Sequence, residues 1–252
     1  MTGIRRSFRS GLAVLAIVAG SGCVVRPANP RPASAPIAIP RAIPNEIRWF
    51  RTSAEYRALT RQTYQLAADR LLELTRGAAA QSWAVILDAD ETVLDNSEYQ
   101  RRRALDDSAY TEASWSAWVN ERTATGVPGA AEFTQRVHAL GGRVVIVTNR
   151  AMGLCDATRA NLQAIRVEAD LVLCQPPGES DKNPRFERVR AGTAAPGFAA
   201  ANVVEWIGDN IQDFPGMTQD IRADPAAFSE FGKRYFVLPN PMYGSWQQIR
   251  EP

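Results

Sequence analysis

Two aspartates two residues apart, Asp88 and Asp90, follow the apolar run Ala84-Val85-Ile86-Leu87 and precede Glu91 and Thr92. Side chains alternate along a strand with period two, so both carboxylates are expected on the same side where the strand ends and the backbone turns. In an open parallel sheet that carboxyl end is where ligands bind. One carboxylate there can attack phosphorus while its neighbour gives and later takes a proton, and a hard cation between them offsets their repulsion. Alone, the same pattern also marks a capped turn, so the other strand ends must decide. Val144-Val145-Ile146-Val147 runs into Thr148 and Asn149, a hydroxyl and turn amides suited to a phosphoryl oxygen. Lys182 follows a third apolar run after a Pro/Gly-rich loop and brings a cation able to neutralise a transferring phosphoryl group. Asp209 and Asp213, at i and i+4 after Val203 to Ile207, are oxygen ligands of the kind that Mg2+ takes while keeping some waters.

Those residues need a scaffold that ends several strands on one side. Short β-rich runs are expected at Trp83 to Leu87, Arg143 to Val147, Leu171 to Leu173, Val203 to Ile207 and Tyr235 to Leu238, most of them separated by helical or loop segments. The alternation predicts one α/β domain, a parallel sheet flanked by helices with right-handed crossovers. A helix is expected from Ser53 to Arg76, where Tyr56, Leu59, Thr63, Leu66, Ala67, Leu71 and Leu74 recur at helical spacing before the stop at Gly77. The stretch from Asn96 to Pro128 breaks the rhythm with Tyr99, Tyr110, Trp115 and Trp118. Placed directly after the first strand, it is expected to form a cap over the site. Trp115 and Trp118 lie at i and i+3, and at least one of them is expected to be a packing residue.

The chain has 252 residues, 45% of them apolar and 22% charged, enough for one sizeable core. Its formal net charge of +2 gives no case for binding a nucleic-acid polymer. The basic start at Arg5, Arg6 and Arg9, the apolar run from Gly11 to Ala19 and the small residues before Cys23 are expected to be an export signal over residues 1–22, with Cys23 lipidated after cleavage. The apolar core is too short for an ordinary membrane span. Six prolines between residues 24 and 44, without an aromatic residue, predict a tether over residues 23–48. In the folded part only Cys155 and Cys174 remain; an oxidising compartment permits a disulfide between them, and two buried thiols fit the sequence equally well. The one histidine, His138, is expected to be structural or exposed, and its isolation excludes phosphohistidine and His-rich zinc phosphatases.

Taken together, Asp88-Ala89-Asp90-Glu91-Thr92, Thr148, Lys182, and Asp209 with Asp213 resemble the four motifs of the haloacid dehalogenase superfamily. The chain is most similar within it to the bacterial lipoprotein class C acid phosphatases, a group with 5'-nucleotidase members. Carrying that likeness are Asp90 to Ser97, Val127-Pro128-Gly129-Ala130, Val147-Thr148-Asn149-Arg150, Gly208-Asp209-Asn210 and Leu238-Pro239-Asn240 before Tyr243-Gly244. It extends from about Trp49 to Trp246. The resemblance implies a Rossmann-like, doubly wound parallel sheet with a small helical cap inserted after the first strand, within a phosphatase domain over residues 49–252. It implies an Mg2+-dependent acid phosphatase acting on small organic phosphomonoesters, nucleoside 5'-monophosphates among them. Asp88 would be the nucleophile and Asp90 the proton donor. Mg2+ would be held by Asp88, the main-chain carbonyl of Asp90, and Asp209, with Asp213 either ligating it or supporting those ligands, and the phosphate by Thr148, Asn149 and Lys182. Trp115, Trp118 and Tyr243 are the candidate walls for a base, each stacking contact contributing roughly 1 to 3 kcal/mol. The expected setting is a lipoprotein of the bacterial outer membrane or periplasm. The competing readings are a phosphotransferase of the same fold and a catalytically silent surface interaction or storage protein.

Overall fold

The computed structural model describes residues 42–250; the expected export signal, Cys23 and the tether up to residue 41 lie outside the described residues. Among the described residues seven strands form: β1 (Trp83–Leu87), β2 (Leu94–Asp95), β3 (Thr125–Gly126), β4 (Arg143–Ala151), β5 (Leu171–Gln175), β6 (Asn202–Gly208) and β7 (Tyr235–Val237). The α-helices described alongside them are α1 (Asn45–Thr52), α2 (Ala54–Leu74), α3 (Ser97–Asp106), α4 (Glu112–Glu121), α5 (Ala130–Ala139), α6 (Cys155–Ala164) and α7 (Asn183–Ala191). The main sheet runs β5-β4-β1-β6-β7, every neighbouring pair parallel.

β1 is buried along its whole length because it lies at the centre with helices on both faces. Its Val85 and Leu87 join a core formed with Tyr64, Ala67 and Leu71 of α2, Phe133 and Val137 of α5, and Leu162 of α6. The intervening Ala84 and Ile86 face a second core with Phe186 and Val189 of α7, Val203 and Trp206 of β6, and Phe214. Apolar side chains on both faces explain why these strands read as unbroken runs of β-branched residues. The doubly wound sheet expected from the sequence is therefore present.

Three local features place the site. The capped helix α2 starts where expected, Ser53 accepting from the Tyr56 N–H at 3.1 Å, and ends at Leu74, before Gly77 in a left-handed turn. The insertion after β1 is a helical cap built from α3 and α4. Its two ends are clipped together by the antiparallel pair β2–β3, with Asp95 opposite Thr125. Finally, folding starts earlier than the expected boundary at residue 49. α1 buries Ile47 and Phe50, and the Phe50 ring lies 4.0 Å from that of Tyr56 in α2. Pro44 directly before the helix disguises this start as tether. Cys155 and Cys174 form a disulfide with Cα atoms 5.9 Å apart, joining α6 to β5, which resolves the alternative left open above.

Candidate active site

Asp88 leaves the carboxyl end of β1, its N–H bonded to the Ile207 carbonyl at 3.0 Å. The chain then folds back on itself: the N–H groups of Val93 and Leu94 both donate to the Ala89 carbonyl, at 3.0 and 2.8 Å, and Glu91 adopts a left-handed φ of 54°. Such strain at a non-glycine residue needs surrounding support. Glu91 is fully buried and its carboxylate accepts from the Asn96 N–H at 2.7 Å. Burial first, then the neighbouring Asp90 charge, pushes that carboxyl well above its ordinary range. From α2, Tyr64 donates to the Thr92 carbonyl at 2.7 Å, and the Thr92 hydroxyl reaches Asp209 at 3.3 Å.

Lys182, at the mouth of α7, is buried between two carboxylates. Its Nζ donates to Asp88 Oδ1 and, at 2.7 Å, to Asp213 Oδ1. Burial lowers the proton affinity of this amine, but Asp213 and Asp88 outweigh it and hold the lysine above its ordinary value. Burial pushes the Asp88 carboxyl up to about 7, with Lys182 drawing it down and Asp213 and Asp90 pushing it further up. Asp213 accepts from the Asn210 N–H at 2.9 Å. It packs so closely on Gly208 that a Cβ there would lie 2.3 Å from it, so the end of β6 admits only glycine. Asp209 accepts from the Asn240 side chain at 2.8 Å, and burial together with Asp213 and Asp88 pushes it well above its usual range.

Oxygens of Asp88, Asp209 and Asp213 all lie within 4.8 Å of one another. One lysine does not neutralise three crowded carboxylates, and the all-oxygen donor set is what a hard divalent cation such as Mg2+ takes. The residues present fit the ion.

Asp90, on the same cavity floor, has its own partners. Arg150 Nε reaches both of its oxygens, at 2.9 and 3.2 Å, and Nη2 donates to Oδ1 at 2.6 Å, while Asn96 Nδ2 adds a bond of 2.8 Å. Both Asp90 side-chain oxygens are thus engaged by neighbouring side chains. Arg150 is almost wholly buried, its side chain 1% exposed, and also lies 5.3 Å from the Trp115 ring centroid. Its part was not evident in the sequence beyond its place after Thr148-Asn149. A second buried arginine, Arg185, donates to the Thr148 carbonyl at 2.6 Å and to the Asn149 side chain, tying the last residues of β4 to the start of α7; Thr148 and Asn149 thus lie within the strand rather than in the turn expected there.

A cavity of about 1180 Å³ opens above this floor. Asp88, Asp90, Asn149, Lys182, Asp209 and Asp213 line it, together with Trp115 and Tyr243 from the expected base walls. Trp118 does not. It is 3% exposed, and its indole N–H donates to Asn96 Oδ1 at 2.8 Å, so it is the packing member of the tryptophan pair and no substrate wall. Thr148 is fully buried behind the floor; its hydroxyl accepts from the Arg150 N–H at 3.1 Å and retains its own proton to donate. His138 pairs with Asp170 at 2.8 Å at the other end of the sheet, away from the site.

Comparison with known proteins gives consistent results. The family model described as HAD superfamily, subfamily IIIB (Acid phosphatase) matches residues 20–246. The class C acid phosphatase from Bacillus anthracis, in two solved structures of which one has tungstate bound, superposes with a TM-score of 0.71 at 29% identity, over 80% of this chain and 85% of that one. Two curated relatives from Glycine max, a stem 31 kDa glycoprotein and a stem 28 kDa glycoprotein, are 26% and 24% identical over 161 and 167 residues. Each match takes 63% of this chain and spans 58% of the relative's length.

Proposed function

Since the chain belongs to the haloacid dehalogenase (HAD) superfamily, subfamily IIIB, the acid phosphatases, we propose that it is an Mg2+-dependent phosphomonoesterase of small organic phosphates, nucleoside 5'-monophosphates among them. The observation that carries this reading is the buried Asp88–Lys182–Asp213 arrangement with Asp209 beside it, on the floor of a cavity at the carboxyl end of the central strand. Asp88 attacks phosphorus; the ester P–O bond breaks and the leaving oxygen takes a proton from Asp90. Asp90 then takes a proton from water, whose oxygen attacks the aspartyl-phosphate, releasing phosphate and restoring Asp88. Lys182, Thr148 and Asn149 hold the phosphoryl oxygens. Asp88, Asp209, Asp213 and the Asp90 main-chain carbonyl would hold Mg2+, which supplies charge neutralisation at the phosphoryl group. Arg150 and Asn96 keep the Asp90 carboxyl aimed beside the nucleophile. Trp115 and Tyr243 are walls against which a base stacks.

The chain is exported and anchored through Cys23 in this reading, and the Cys155–Cys174 disulfide supports an oxidising compartment. The test is turnover of a phosphomonoester panel with and without Mg2+, with Asp88→Asn as control and an added alcohol to detect transfer. Mg2+-dependent release of phosphate that Asp88→Asn lowers by orders of magnitude is expected. Undiminished turnover by Asp88→Asn refutes the mechanism, and phosphorylated alcohol as the main product assigns a phosphotransferase.

A further inference from the structure

We propose that Arg103 in the cap forms a second anion-binding position in the cavity, so that the preferred phosphomonoesters carry a further phosphate or carboxylate beyond the scissile group. The proposal rests on the phosphatase reading for the floor. Arg103 and Lys182 are the two cations among the described residues lining the cavity. Lys182 is engaged by Asp88 and Asp213. Arg103 is held differently from its neighbours: Arg51, Arg101 and Arg102 pair with Glu98 or Glu121, whereas Arg103 makes no ion pair among the described residues. Its guanidinium lies 5.5 Å from the Tyr99 ring centroid and 5.9 Å from that of Tyr110, and Nη1 donates to Gln100 Oε1 at 2.9 Å. Nε is shielded from solvent and finds no acceptor.

Ring faces and one amide orient this cation without cancelling its charge. A planar fork already fixed in place loses little freedom on binding, and it matches the two oxygens of a phosphate or carboxylate. The cavity also has room for such a ligand. Its 1180 Å³ exceeds the roughly 300 to 1,000 Å³ of ordinary small-molecule sites, far more than one phosphoryl group fills. Of the other charged residues lining it from α1 and the cap, Glu46 and Asp107 are acidic, so an anion extending from the floor has Arg103 as its one cationic partner there among the described residues.

The test compares the full chain with Arg103→Gln and Arg103→Lys on p-nitrophenyl phosphate, which has no second anion, and on adenosine 3',5'-bisphosphate and 3-phosphoglycerate, which do. Arg103→Gln is expected to lower kcat/KM for at least one two-anion substrate about 10- to 100-fold relative to p-nitrophenyl phosphate, mainly through KM, with Arg103→Lys recovering part of the loss. Equal changes on all three substrates overturn the proposal. If no ester is turned over, the phosphatase reading fails instead. Calorimetric titration of the same two proteins with the same ligands then decides the anion site: weaker binding of the two-anion ligands by Arg103→Gln supports it, and unchanged binding overturns it.

Discussion

Glu205 is a carboxyl group that the fold holds in the wrong solvent. It sits in β6 opposite Val85 of the central strand, fully buried, and neither of its oxygens has a hydrogen-bond partner. Burial pushes it up to about 9 from an ordinary 4.5, against a weaker downward pull from Arg234, whose own bonds go to the Val203 and Val204 carbonyls. The folded chain thus keeps a proton that the unfolded chain releases anywhere between those two values. A raised folded value means that this contribution to stability is complete below about 4.5 and is lost as the pH climbs towards 9. The slope is about 1.4 kcal/mol per pH unit, or about 4 kcal/mol between pH 5 and pH 8, a large share of the 5 to 15 kcal/mol of a typical domain. Glu205→Leu, similar in volume and unable to titrate, removes the slope. Urea unfolding of the wild type, Glu205→Leu and Glu205→Gln at pH 5, 6, 7 and 8 measures it. Both variants are expected to gain on the wild type with each step in pH. A difference that stays flat from pH 5 to pH 8 would show that Glu205 titrates alike in both states, and the reasoning would be wrong.

Three other outcomes follow from contacts described above. Arg150→Met leaves Asp90 without its buried partner; a stability loss of about 3 to 5 kcal/mol is expected in denaturant melts. Its kcat should fall further for alkyl phosphates than for p-nitrophenyl phosphate, whose leaving group needs no proton, and equal falls would remove Arg150 from the positioning of Asp90. Gly208→Ala drives a Cβ into Asp213, so Mg2+ affinity and turnover should drop together while circular dichroism stays native; unaltered Mg2+ titration refutes the close fit. Opening the Cys155–Cys174 bridge, which spans 19 residues, is expected to cost about 3 kcal/mol. Identical urea midpoints with and without reductant would count against it.

The parts legible in the sequence are those governed by local periodicity. Buried parallel strands show themselves as apolar runs, so all five strands of the main sheet were expected within a few residues of where they lie, as was α2. Carboxylates, hydroxyl and lysine at strand ends were legible for the same reason: β1, β4, β5 and β6 all terminate on one side. What could not be read depends on approach in space. Arg150 and Asp90 are 60 residues apart, and their bond exists only because β4 lies beside β1. The two tryptophans of α4 have the same spacing signal, and only tertiary packing, which seats Trp118 in the main core beside Asn96 and leaves Trp115 partly buried at its edge, tells them apart. In α1 the prolines before Asn45 masked a helix whose evidence, Ile47 and Phe50 packing on Tyr56, is tertiary. The cysteine pairing likewise awaited a distance.

The antiparallel clip of Leu94–Asp95 with Thr125–Gly126 brings the entry and exit of the cap side by side. A segment joined at neighbouring points can be lengthened, shortened or exchanged without moving any strand register, so recognition and chemistry are free to evolve on separate schedules. One thread limits that freedom. Asn96 takes a hydrogen bond from Trp118 and gives one to Asp90, so any replacement cap inherits the duty of keeping that amide in place, and a graft that ignores it would bring new specificity to a disarmed acid.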